Sequence, residues 1–256
     1  MAPALLADLF KFNHWSLLIG LGIVCGYALM LFRARRAGLP VREMENGALC
    51  AIVAGFVISR TVEVLCYRPE ELRLKGWITL IDVTAGISSY GGFAGGLLGV
   101  AVFYAIKRKS WWPEADVLIE AMTLGWVFGR LGCTIALDHP GPKTASFLGF
   151  QADDGLRHNM GFYEFLLTLL VLVPINLILA KRRAPVGSRI AWICLLYGAG
   201  RFGLDFFRAT DVPQADPRYG GLTLAHYCSA ALFLFGGWVL VRVRRGTLQP
   251  ATTTGR

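Results

Sequence analysis

Apolar residues in this chain run in long blocks, interrupted by short clusters of basic residues. Seven blocks, residues 15–32, 47–67, 86–106, 117–137, 162–180, 189–207 and 222–241, are long enough, or nearly so, to cross about 30 Å of hydrocarbon as helix. The pattern predicts an all-α, polytopic membrane protein with seven transmembrane helices. Basic clusters follow the first, third, fifth and seventh blocks, at residues 33–36, 107–109, 181–183 and 242–245. Lys and Arg beside short loops stay on the cytoplasmic side, so the N-terminus is expected outside and the C-terminus in the cytoplasm. The loops 139–161 and 208–221 then face outward. Residues 1–256 read as one transmembrane domain without internal repeats, with 1–13 as a possible interfacial helix and 246–256 as a flexible cytoplasmic tail.

Composition agrees, since 55% of the 256 residues are hydrophobic and 17% are charged, too little polar surface for a water-soluble fold. The formal charge of +9 does not point to nucleic acid, because the cations sit in clusters between apolar runs and form no stripe along a polar face. Six scattered cysteines include no CxxC pair, which argues against a disulfide framework or a zinc site. No metal cluster, nucleotide loop or haem motif is evident, so no cofactor is implied. The N-terminus has no basic region ahead of its apolar stretch and no small-residue cleavage site, so it is not read as a removable signal peptide.

Ionisable residues inside the blocks carry the functional information, because each costs on the order of 3 kcal/mol near the bilayer centre. The fourth block ends Gly129-Arg130-Leu131-Gly132, followed by Asp138 and His139, with Arg130 in its outer third and Asp138 at the rim. In the sixth, Arg201, Asp205 and Arg208 share a helix face, leaving surplus positive charge that an anion would satisfy. Arg60 and Glu63 in the second block are read as a structural ion pair. Glu120 is placed near the cytoplasmic interface. The third block holds Ser88-Ser89-Tyr90-Gly91-Gly92 and small-residue spacings at Gly92/Gly96 and Gly95/Gly99, suited to close packing or to a backbone opened toward a headgroup. Tyr163 and Glu164 open the fifth block at the outer interface. Guanidiniums suit a phosphodiester because their planar fork makes two parallel hydrogen bonds and keeps its charge when buried. These residues predict a phospholipid-headgroup site at the outer leaflet.

At these same residues the chain resembles the prolipoprotein diacylglyceryl transferase family of bacterial inner-membrane enzymes. The resemblance rests on four blocks in order: Gly91 to Gly99, the stretch from Gly129-Arg130-Leu131-Gly132, His158 to Glu164, and Gly200 to Arg208. It implies seven spans with the N-terminus outside, and transfer of diacylglyceryl from phosphatidylglycerol to a lipobox cysteine thiol of a prolipoprotein, releasing glycerol phosphate. By position, Arg130 matches the family's signature arginine, Asp138 stands where it has a glutamate, Arg208 matches its arginine after the sixth span, and Tyr163 and Glu164 match its Tyr-Glu pair. Where the family usually has Phe-His-Gly-Gly, the aligned stretch is Phe93-Ala94-Gly95-Gly96, and two signature asparagines are replaced by Cys133 and Ala136.

The expected catalytic set is Arg130 and Arg208 as a phosphate clamp, with His139 as base for the thiol and Asp138 orienting it; His158 and His226 are alternative bases. Ser89, Tyr90, Gly92, Gly95, Gly129, Gly132, Tyr163, Glu164, Arg201 and Asp205 are expected to bind substrate. Partners are phosphatidylglycerol, a prolipoprotein lipobox peptide and membrane lipids, and the chain is expected to be monomeric. The alternatives are a non-catalytic phospholipid- or lipoprotein-binding homologue and, third, a transporter, which would favour midplane charges and repeats.

Overall fold

Each of the seven apolar blocks forms a helix in the computed structural model, which describes residues 14–81, 86–212 and 215–248. The helices are α1 (His14–Arg36), α2 (Val41–Tyr67), the short α3 (Pro69–Lys75), α4 (Ser89–Ile106), α5 (Trp112–Ala136), α6 (Met160–Lys181), α7 (Ser188–Asp205) and α8 (Leu224–Arg244). Among the described residues six helices are long and apolar enough to cross a membrane; α7, the other long helix, falls outside that set and carries Arg189, Arg201 and Asp205. The proposed interfacial segment 1–13 and the end of the tail, 249–256, lie outside the described residues. The start of that tail is packed, with Leu248 buried against Ile190 and Val239.

Glycine allows the long helices to pack in close pairs, α1 with α5, α2 with α4 and α7 with α8. Along α4 the packing face is Gly91, Gly95 and Gly99: a Cβ on Gly95 would press into the carbonyl of Ala54, and one on Gly99 would lie 2.5 Å from the carbonyl oxygen of Cys50. Gly22 on α1 meets the Gly125 carbonyl, and Gly198 and Gly236 meet the backbone across the α7–α8 seam, each at under 3 Å from where a Cβ would stand. The spacing Gly92/Gly96 does not pack this way, since those residues turn toward a cavity.

Local sequence explains the irregularities. A wider helical turn at Thr168–Leu172 in α6 precedes Pro174, whose missing N–H breaks the regular ladder. The carboxylate of Asp116 accepts hydrogen bonds from the backbone N–H groups of Gly187, Arg189 and Ile190, tying α5 to the start of α7. The guanidinium of Arg60 donates to the carbonyls of Thr79 and Gly86 and so holds the α2–α4 connection. Glu63, expected as its ion partner, bonds Arg68 at 3.1 Å.

Two small antiparallel sheets interrupt the helical expectation. Strands β1 (Pro140–Lys143), β2 (Phe150–Ala152) and β3 (Gly155–Asn159) form one in the order β1-β3-β2. Strands β4 (Arg218–Tyr219) and β5 (Leu222–Thr223) form the other. The first lies in the loop 139–161; the second joins the end of the loop 208–221 to residues 222–223, so the seventh block becomes helical only from Leu224. Arg157 pins the first to the second loop, donating to Asp154, Asp211 and the carbonyl of Gly141. Its hydrogen bonds hold both carboxyls below their ordinary range.

Candidate functional site

The site begins at the C-terminal end of α5, where Arg130 is 2% exposed. Its guanidinium lies 2.8 Å from Glu164, donates to Tyr197 at 3.2 Å, and stacks over the ring of Trp126. Glu164 is positioned by the start of α6. The side chain of Asn159 caps that helix by accepting from the N–H of Phe162, and donates to the carbonyl of Thr134 on α5. One residue therefore locks the two helices that carry the Arg130–Glu164 pair.

Helix α7 supplies the rest of the charge. Arg201 bonds Asp205 at 2.5 Å and lies 3.4 Å from Glu164. Arg208 lies 3.4 Å from Asp205, 3.9 Å from Glu164 and 3.1 Å from Asp216. Asp205 is fixed in turn by the hydroxyl of Thr223, which donates to it. Three guanidiniums thus face two buried carboxylates, Glu164 and Asp205, and the excess charge expected from sequence is one unit, met at the rim by Asp216. The Nε atoms of all three arginines and both oxygens of Glu164 lack hydrogen bonds among the described residues. A buried ionic cluster with unused donors is poised to take up an oxyanion.

At the mouth, Leu137 adopts a left-handed φ of 52° that ends α5 and turns Asp138 and His139 into the site. The Nδ1 of His139 lies 2.8 Å from the backbone carbonyl of Asp138 and 3.1 Å from Arg208 Nη1. The carboxylate of Asp138 is 3.7 Å away, so the orienting group is its carbonyl. Burial, reinforced by Arg208, holds the His139 imidazole well below its ordinary pKa, while burial raises that of Asp138. Cys133, Asp138 and His139 place a thiol, a carboxylate and an imidazole within 4.8 Å, a set able to ligate a metal. The adjacent Arg208 and Arg130 oppose a cation there.

These groups cap a cavity of about 1300 Å³ that continues past the polar end along apolar walls of α1, α2, α4, α5 and α7. Ser89, Tyr90, Gly92, Gly129, Arg130, Asp138, His139, Arg201 and Arg208 line it. Gly95 does not belong with them, because it packs against Ala54. Gly132 is buried within α5. Tyr163 turns to His158, whose Nδ1 is 2.7 Å from its hydroxyl. His226 completes the cap of α8 between Phe202 and Phe206. Tyr197, Trp126, Asp216 and Thr223 escaped the sequence reading, since aromatic, loop and threonine residues carry no buried-charge signal. Ala94 is exposed on α4, while Tyr90, also followed by two glycines, is buried beside Tyr197.

A family model described as prolipoprotein diacylglyceryl transferase matches residues 3–242. The chain is similar to a phosphatidylglycerol–prolipoprotein diacylglyceryl transferase of Acinetobacter baylyi, 25% identical over 236 residues, which cover 89% of this chain and 86% of the relative. A protein of Clostridium perfringens, named as the second such transferase, is 25% identical over 248 residues, 92% of each chain.

Proposed function

Because the chain belongs to the prolipoprotein diacylglyceryl transferase family, we propose that it transfers diacylglyceryl from phosphatidylglycerol to the lipobox cysteine thiol of a prolipoprotein. The observation that carries this reading is the gathering of Arg130, Arg201 and Arg208 at the polar end of an otherwise apolar cavity. A headgroup phosphate belongs among the guanidiniums and the acyl chains along the apolar walls. On this proposal the chain crosses the bacterial inner membrane seven times with its N-terminus outside, and α7 is counted as a span because its charges pair within the protein.

In the reaction, the thiol sulfur attacks a glycerol carbon of the lipid, a C–S bond forms, and the C–O bond to the phosphate breaks. Negative charge grows on the departing glycerol phosphate, and Arg130 and Arg208 stabilise it there more than in the bound lipid. To meet the phosphate, Arg208 gives up Asp216. The thiol, with an ordinary pKa near 8.5, needs a base. Once Arg208 has turned from His139 to the phosphate, His139 serves in its Nδ1-protonated form: Nδ1–H donates to the Asp138 carbonyl and Nε2 takes the thiol proton. Tyr90, followed by Gly91 and Gly92, lines the cavity beside Tyr197, whereas Ala94 is exposed on α4.

The test is purified protein with phosphatidylglycerol and a lipobox peptide, read by mass spectrometry for the thioether adduct and for glycerol phosphate. Arg130→Ala is expected to lower transfer by about 10²–10³-fold or more. Arg130→Lys, which keeps the charge but loses the fork, is expected to lose most of it too. Turnover retained in both variants would exclude the clamp. Saturable lipid binding without any adduct in the wild type would favour a binding protein.

A further inference from the structure

At the opposite end of the bundle, about 20 Å along α5 from Arg130, lies a second recess of about 610 Å³. Five cations from three helix ends converge on it: Arg33 and Arg36 from α1, Lys181 and Arg183 from the end of α6, and Arg189 from α7. Against them stands Glu120 of α5, 2.6 Å from Arg33 and 3.4 Å from Arg189. Its charge is taken up by those two, while Arg36, Lys181 and Arg183 stand exposed around the mouth.

Retention of Lys and Arg on one side of a membrane accounts for cations at this end, but not for side chains from three helices turning into one recess. The cluster at 242–245 obeys the same rule and lines no such recess; Arg36 lies over the Phe32 ring as Arg242 does over Trp238, and what sets the first group apart is that three helix ends bring it together. Arg183 also holds a left-handed φ of 50°, a conformation that glycine adopts more readily. Val117, Ala180 and Leu177 share the wall with the cations, and Leu177 is exposed one helical turn from Lys181. A cationic mouth beside an outward-facing apolar strip matches an acidic phospholipid, phosphate at the arginines and chain along α6.

We propose that this recess is a second lipid site, binding the phosphate of an acidic phospholipid through Arg36, Lys181 and Arg183. With the N-terminus outside, it faces the inner leaflet. The full chain, purified in detergent, would be titrated with dioctanoyl phosphatidylglycerol, dioctanoyl phosphatidylcholine and inorganic phosphate, and bound ligand counted by native mass spectrometry. The wild type is expected to hold one more acidic lipid than Arg36→Gln/Lys181→Gln/Arg183→Gln, with at least tenfold tighter binding and no difference for the choline lipid. Arg183→Gly is expected to weaken that binding severalfold while keeping or raising the thermal midpoint, which separates lost binding from a damaged fold. Displacement of the lipid by millimolar phosphate would identify free phosphate as the occupant of the same anion site. Equal acidic-lipid occupancy in the wild type and both variants overturns the proposal. Failure of the transferase reading is seen separately, in the adduct assay, which does not depend on this recess.

Discussion

His139 is held neutral by burial and by the neighbouring Arg208, and the consequence is a shift in the pH at which a base can work. A base acts while unprotonated, so activity falls only as pH drops through its pKa. With that pKa below the ordinary value of about 6.5, the acid limb of the rate profile should lie below pH 6.5. Removing the Arg208 charge lets the pKa rise, so the limb of the residual activity in Arg208→Gln should move up toward 6.5. A pH–rate series on the two proteins measures this, and an unmoved limb would remove His139 from the role. Buried charges such as Arg130, Arg201 and Asp205 were legible in the sequence because membrane helices exclude unpaired ones. Which glycine faces which neighbour was not, and Gly95 was taken for a cavity residue for that reason: adjacent small residues look alike until the helix is rotated against its partner.

On the scale of elements, the α2–α4 seam depends on one stripe of α4 and the cavity on the next. Gly95→Leu should therefore lower stability by about 1–3 kcal/mol or prevent assembly, since the side chain has to displace the Ala54 backbone. Gly96→Ala, whose Cβ would meet the Ala51 carbonyl at 3.7 Å, should leave the thermal midpoint nearly unchanged. Thermal unfolding in detergent compares the two, and equal losses would mean that the seam is not what the stripe holds. Six of the long helices were readable from apolar length; α7 has a block of similar length but carries Arg189, Arg201 and Asp205 and is less apolar. The strands were not, because β1 to β3 are short, alternate poorly, and owe their arrangement to Arg157 and its two aspartates, which lie 3 and 54 positions away in the chain.

For the whole molecule, the cavity joins residues from Ile19 to Phe235, and no local stretch of sequence announces such a space. Its polar end was anticipated from the charges, and its apolar length was not. The proposed orientation makes a definite prediction: alkaline phosphatase fused within the β2–β3 turn should be active, and a fluorescent protein fused after Leu248 should fluoresce. The reverse result would invert the molecule. The carboxylates of Glu164 and Asp216 have a further consequence for the arginine site. A bare cluster of guanidiniums would collect small anions from solution, and its ligand would have to expel them, so affinity would drop steeply as salt rises. Here the protein carries its own counterions, and the incoming phosphate trades places with a tethered carboxylate. Such an exchange releases almost nothing into the bulk, so the site should be nearly indifferent to the ionic strength outside the cell.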